Sequence, residues 1–316
     1  ASKPRFDFIV KAESLDLKAL LPKSPVVGPI SFQVNGKGSA EELEVSGNFS
    51  IPAGAVSSTS FTDATGTFDY AKNIMTFKTV NLESLGGRLS LSGAWDLKNT
   101  LFEMDITGKN LAAEALSGGE ILGSMDLQVR ATGKDAAGAE VQGKFSMPTA
   151  TISGTIFEKI AGNMRKTGQS LEFTDLNFST SGQKMTAGGK ILFGGTEPEL
   201  DLHLHSDGIE IAAIKPGVPI SGQLAFQAVI AGTLKKHTIA GSVQFPDGKF
   251  GSLAVVDTEG DFHFAEDVLT LKDFQLGLLD GSMSMQRLTA DGKILLSGND
   301  PKLDLCVKSD AIDLAA

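Results

Sequence analysis

Few residues in this chain carry obvious chemistry, so each can be weighed by its neighbours. His203 and His205 form a His-x-His within Leu200-Asp201-Leu202-His203-Leu204-His205. On a strand both imidazoles project to one side, where a divalent metal could bridge them. The same alternation makes them the wetted side of an ordinary strand, and no cluster of carboxylates or thiolates repeats nearby. A solvated strand is the expectation, with no metal and no cofactor. Cys306 is the single cysteine, which excludes an intramolecular disulfide. It lies between Leu305 and Val307 with no activating base near it in sequence, which reads as a small packing residue rather than a nucleophile. Gly36-Lys37-Gly38 and Gly188-Gly189-Lys190 have the look of phosphate loops, but neither precedes a long helix and both suit hairpin turns. With four histidines and no Gly-x-Ser-x-Gly, the serine, cysteine and zinc hydrolase templates are not met, so neither catalytic residues nor an enzyme activity is expected. The sequons Asn48-Phe49-Ser50 and Asn177-Phe178-Ser179 fall inside strand patterns and read as chance matches.

The elements that hold these residues come from a repeat. Phe6-Asp7-Phe8-Ile9-Val10 recurs as Phe102-Glu103-Met104-Asp105-Ile106, as Leu200-Asp201-Leu202-His203-Leu204 and as Leu303-Asp304-Leu305-Cys306-Val307, at steps of 96, 98 and 103 residues. Pro52, Pro148 and Pro246 keep the first two steps, and so do Gly66, Gly162 and Gly260. The chain therefore divides into β repeats over 1–99, 100–197 and 198–300, with a fourth copy starting at 301–316. Repeats that bury their faces on neighbours form one continuous body rather than separate domains.

Period-two alternation dominates each copy, as in Ile30-Ser-Phe32-Gln-Val34, Met125-Asp-Leu127-Gln-Val129 and Phe262-His-Phe264. Turn formers lie between the runs: Asn35-Gly36, Ala71-Lys72-Asn73, Gly118-Gly119, Gly188-Gly189, Asp247-Gly248, Asp280-Gly281 and Asp291-Gly292. With 36 glycines, these connections predict an antiparallel meander of roughly eight strands per repeat. Helical signal is confined to Leu15 to Leu21 and Leu111 to Leu116. Phe157 to Lys166 could pass for a helix, but its alignment with the other copies makes it a strand.

A formal charge of −10, from 28 basic and 38 acidic residues with no basic run, argues against a nucleic-acid partner and against a polybasic grip on anionic lipid. No stretch approaches the roughly 18 to 20 apolar residues of a membrane helix. Ala1-Ser2-Lys3-Pro4 opens without a signal core, so any targeting segment is expected to lie outside this sequence, and both ends are expected to be cut from a longer protein. An apolar face on so many strands cannot stay in water, at about 25 cal/mol per Å² of surface. Glycine-rich bends would curl the sheet, and a trough and a closed sandwich both satisfy the requirement. The fold class expected is all-β, an antiparallel β-repeat sheet curled into an elongated U-shaped groove with an apolar interior.

Several phrases resemble the AsmA-like family of Gram-negative envelope proteins, the bacterial bridge-like lipid transfer proteins that include AsmA, TamB and YhdP. They are Pro4-Arg-Phe6-Asp-Phe8-Ile-Val10-Lys-Ala12 with Leu15-Asp16-Leu17-Lys18-Ala19-Leu20-Leu21-Pro22, Gly86-Gly87-Arg88-Leu89-Ser90-Leu91-Ser92-Gly93-Ala94-Trp95-Asp96-Leu97, Met185-Thr-Ala-Gly188-Gly189-Lys190-Ile191-Leu192-Phe193, and Asp291-Gly292-Lys293-Ile294-Leu295-Leu296-Ser297-Gly298. The resemblance covers nearly the whole chain, on degenerate β-repeat phrases. It implies an apolar groove in the periplasm, tethered to the inner membrane through segments outside this chain, that carries phospholipid toward the outer membrane. It also implies phospholipid acyl chains as the ligand and an outer-membrane protein as a partner at one end.

A lipid conduit also suits the physics, since about 16 methylenes at about 0.8 kcal/mol each cost roughly 13 kcal/mol to expose. The residues expected to line the groove are Phe6, Phe8, Phe32, Val34, Val45, Phe49, Phe77, Leu89, Leu91, Phe102, Met104, Leu127, Val129, Phe145, Leu171, Phe173, Leu202, Phe226, Phe245, Phe262, Phe264, Met283, Met285 and Leu305. Two other readings fit the same pattern: a β-repeat rod with a dry, self-filled core, and a chaperone-like groove for outer-membrane strands.

Overall fold

The structure is a computed structural model, and it describes residues 4–20, 24, 26–39, 42–135, 138–152, 154–210, 212, 220–233, 235–279, 285–295 and 302–309. The fold is all-β. Among the described residues 21 strands form an antiparallel sheet, accompanied by two short helices.

The chain divides into two compact units, Ala1–Thr155 with Asn163–Gly168 and Ile156–Gly162 with Gln169–Ala316. The first contains β1 (Phe6–Asp16), α1 (Leu17–Leu20), β2 (Val26–Val27), β3 (Pro29–Gly38), β4 (Leu43–Val56), β5 (Thr59–Ala71), β6 (Ile74–Ser84), β7 (Gly87–Asp96), β8 (Leu101–Ala112), α2 (Ala113–Ser117), β9 (Ile121–Leu122), β10 (Ser124–Gly133) and β11 (Glu140–Ile152). Each long strand pairs with the next long strand, from β1 with β3 through to β10 with β11. The two-residue strands β2 and β9 add short ladders to β4 and β11.

Strand β12 (Thr155–Thr167) falls across the division. The second unit continues with β13 (Ser170–Thr180), β14 (Gln183–Leu192), β15 (Glu199–Glu210), β16 (Ile220–Thr233), β17 (His237–Phe250), β18 (Leu253–Ala265), β19 (Val268–Leu279), β20 (Met285–Leu295) and β21 (Lys302–Ser309). From β13 onward, consecutive strands pair without exception. Residues 157–166 are strand, as their alignment with the other copies required.

The meander has fewer and longer strands than expected. A copy such as β1 to β7 holds six long strands of 10 to 14 residues and the two-residue β2. The difference arises at glycine. Lys72-Asn73 and Gly118-Gly119 do turn the chain, but Asn35-Gly36, Gly188-Gly189, Asp247-Gly248 and Asp291-Gly292 lie inside β3, β14, β17 and β20. Asp280-Gly281 lies outside the described residues. Two of these in-strand glycines, Gly36 and Gly248, make room for an aromatic ring, as the recurring Gly66 does. A Cβ on Gly36 would collide with the Phe8 ring, one on Gly248 with the Phe245 ring, and one on Gly66 would sit 2.6 Å from Cζ of Phe49. The recurring Gly66, Gly162 and Gly260 are covered by Phe49, Leu176 and Phe274 respectively.

Bulges also recur. Asp63, Lys159 and Asp257 occupy the left-handed region in mid-strand, at φ of 52°, 54° and 45°. Ser14 and Asn110 do so at φ of 52° and 54°, and Asp175 and Asp273 at 53° and 52°. Pro52 and Pro246 interrupt the ladder opposite Asp63 and Asp257. Proline has no N–H to give, and a bulge is where a sheet tolerates that loss. The bulged amides are satisfied by side chains of the next strand: Ser14 N donates to Ser31 Oγ at 3.1 Å, Asn110 N to Asp126 Oδ1 at 2.9 Å, and Asp273 N to Asp291 Oδ1 at 2.8 Å.

Candidate functional site: a continuous apolar sheet face

Because side chains alternate sides along a strand, the pairing register decides which residues share a face. In the first unit it assembles rows that cross the strands. The first runs Phe8, Gly36, Val45, Tyr70, Met75, Trp95, Phe102, Gly133. Next to it runs Val10, Val34, Gly47, Phe68, Phe77, Gly93, Met104, Ala131, Val141. A third row is Ala12, Phe32, Phe49, Gly66, Val80, Leu91, Ile106, Val129, Gly143. The fourth starts at Ile51 and Ala64 and continues through Leu82, Leu89, Gly108, Leu127 and Phe145. None of these positions is Asp, Glu, Lys or Arg.

Every residue expected to line a groove in this unit lies on this side. Phe6 stands just outside the first row, opposite Gly38. Sequence reasoning missed Phe68, Ile106, Leu82, Ile51 and Phe61. The first two were within reach, being two residues from Gly66 and Met104 on the same alternation. Phe61 was not, because the bulge at Asp63 breaks the period between it and Ala64.

The second unit repeats the arrangement. Phe173, Gly189, Leu202, Ile230, Ile239, Phe264, Leu269, Ile294 and Leu303 form one row. Leu176, Ala187, Leu204, Ala228, Gly241, Phe262, Leu271, Gly292 and Leu305 form the next. Leu171, Phe226 and Phe245 share the side by register. Met283 lies outside the described residues, as does the side chain of Met285, whose backbone pairs with Leu279.

The face is closed at one margin and open elsewhere. In the first unit Leu17 of α1, Ile51, Phe61 and Ala64 form a buried cluster, with Val26, Ile30, Phe49 and Leu82 packed against it. Burial recurs at Ile51, Met147 and Phe245 and again at Ala64, Ile160 and Thr258, the spacing of the repeat. Ser84 and Thr180 on this margin donate back to the carbonyls of Ser60 and Ile156 at 2.7 and 2.9 Å. Away from the margin most of the face is half-buried, with Val129 and Ala131 buried and Phe6 and Trp95 50 % and 38 % exposed.

Among the described residues, the charge borne by the strands lies on the other side. Lys37 pairs with Glu44, Lys78 with Asp69, Arg88 with Glu83, Arg130 with Glu103 and Lys190 with Asp201, exposed pairs worth about 0–1 kcal/mol each. Asp126 is held below the ordinary carboxylate range, chiefly by the Lys109 ammonium donating to it and then by the Asn110 amide. His203 stands exposed and His205 half-exposed on this polar side near Asp201 and Asp207, at 3.8 and 2.9 Å. Cys306 corrects an expectation. It is exposed, opposite Asp291, because Leu305 and Val307 take the apolar side of β21 and leave it the other.

The class these features define is an all-β protein of repeated antiparallel strands with one uncharged apolar face and one charged face. No protein-family model, characterised protein or solved structure matches the chain.

Proposed function

We propose that this chain is a periplasmic segment of a phospholipid conduit, as its resemblance to the AsmA-like family implies, with the apolar face carrying acyl chains between the inner and outer membranes. The supporting observation is the set of rows that cross every long strand of the first unit without a formal charge, while much of their surface stays open. Acyl chains need only a path along which methylenes never meet water or an unpaired polar group. Rows of Phe, Leu, Val and Gly running across the strands supply one, and no covalent step is needed. Half-exposed rings such as Phe6 and Trp95 leave apolar surface on which a guest chain can lie.

The buried cluster around Ile51, Phe61 and Ala64 supports a second reading, a rod whose interior fills itself. Lipid retention separates the two. Mass spectrometry of protein purified without detergent should find phospholipid at near-stoichiometric amounts. Phe145→Asp puts a charge opposite Leu127 in the fourth row, and Phe173→Asp does so in the second unit, so both should lose lipid while keeping the circular dichroism of a β protein. Native protein free of lipid, or folded variants that retain it unchanged, would leave the rod.

A further inference from the structure

We propose that the first unit reads a lipid's phosphate as well as its chains, by a row of lysines along one rim of the apolar face. The proposal rests on the conduit reading above and adds where the headgroup lies.

The chain has one tyrosine and one tryptophan, and they fall in the same row. Tyr70 is opposite Met75, and Met75 is opposite Trp95. This is the row of the apolar face closest to the turns after β5, β7 and β10. The opposite margin holds the buried cluster, so the face opens toward the aromatic row. Tyr70 directs its hydroxyl to Asn73 Oδ1 at 3.4 Å in the adjoining turn. Trp95 is 38 % exposed. Amphipathic rings of these two types belong where an apolar medium meets a wet one.

Just beyond them stand Lys72, Lys98 and Lys134, one in each of those successive turns and all exposed. Successive turns lie two strands apart, or about 10 Å. None of the three lysines closes an ion pair among the described residues, although the Lys98 charge is near enough to Asp96 to help hold its carboxyl down. Asp96 accepts the amides of Lys98 and Asn99 at 2.9 and 3.0 Å and the Asn99 side chain at 2.7 Å. Those bonds, that of the Asn99 amide foremost, hold its carboxyl below the ordinary range. Asp135 accepts the Gly138 amide at 2.7 Å, and Glu140 pairs with Arg165 at 2.6 Å. Glu42, in the turn after β3, is a further exposed acid at this rim, as is Asp135. In a protein of net charge −10, three exposed ammonium groups in line beside the aromatic row, none of them closing an ion pair among the described residues, form a local site for anionic oxygen. A phospholipid fits all the layers at once: chains on the phenylalanine rows, glycerol backbone beside Tyr70 and Trp95, phosphate on the lysines.

Trp95 is itself the reporter. The full chain is loaded with phosphatidylcholine brominated near either the carboxyl end or the methyl end of its acyl chains, and Trp95 fluorescence is read. Quenching from the carboxyl-end label should be the stronger, by roughly twofold, if the ring sits at the interface. The variant with Lys72→Gln, Lys98→Gln and Lys134→Gln should bind phosphatidylcholine roughly fivefold to tenfold more weakly. It should bind diacylglycerol, which lacks the phosphate, as the parent does. Lysine-to-arginine replacement at the same positions should restore binding, and inorganic phosphate at millimolar concentration should not displace the lipid. Equal or stronger quenching from the methyl-end label, or a glutamine variant that binds both lipids like the parent, overturns the headgroup site and leaves the conduit standing. Absence of any bound lipid overturns both.

Discussion

A glycine lying beneath a neighbour's ring or branched side chain is the smallest recurring unit of this protein. Gly66 sits under Phe49, and an added Cβ would come within 2.6 Å of the ring and 3.0 Å of Val80. Both neighbours are half-buried parts of the apolar face, so relief requires moving packed groups. Gly66→Ala is expected to destabilise by about 1–3 kcal/mol, read as a lower denaturant midpoint. Gly188 supplies the comparison. It too lies in mid-strand, but its nearest atom is the Phe173 carbonyl at 3.4 Å, so Gly188→Ala should stay within about 0.5 kcal/mol. Equal losses at both sites would mean that glycine is needed for backbone freedom and not for the space above it. The recurrence of Gly66, Gly162 and Gly260 was legible in the sequence, but its reason was not, because the covering side chain comes from a neighbouring strand whose register only the fold supplies.

Each long strand is a run of alternation broken at a fixed place, and the break shapes the element. Asp63 holds φ of 52° opposite Pro52, where the ladder already lacks a donor. Aspartate tolerates this region better than most residues, and β-branched side chains tolerate it worst. Asp63→Val is therefore expected to cost about 1–2 kcal/mol, while Asp63→Gly should be neutral or mildly stabilising, both measured by thermal unfolding. A valine variant as stable as the parent would show that the bulge is not enforced. The same breaks set how far sequence reasoning reached. Alternation up to the bulge placed Phe6, Phe8, Phe32, Val34 and Met104 on one side, because period two holds there. Past the bulge the parity changes, so Phe61 and Ala64, three residues apart, both reach the buried cluster. Asn35-Gly36 is a strong hairpin signal on its own, yet pairing of β3 with both β1 and β4 overrides it. No local propensity reports a partner on each side.

For the molecule as a whole, composition and register make one statement. The surplus of acidic residues lies on one side of the sheet and in the turns, and among the described residues the apolar rows of either unit carry none. The sequence showed this segregation through alternation alone, without the fold. A protein that keeps an apolar face partly open should be less stable empty than filled, because a ligand that binds only the folded state adds RT ln(1 + [L]/Kd), about 2.7 kcal/mol at a hundredfold excess over Kd. Protein stripped of lipid should take up an apolar fluorescent dye in its native state. Added phospholipid should then displace the dye and raise the melting temperature with increasing lipid concentration. A self-filled rod has no such linkage, since its apolar surface is satisfied within the fold and added lipid has nothing to displace. Native protein that stays dark with dye and melts at the same temperature at every lipid concentration would therefore assign the uncharged face to internal packing. A coupled loss of dye and gain in melting temperature would assign it to a guest.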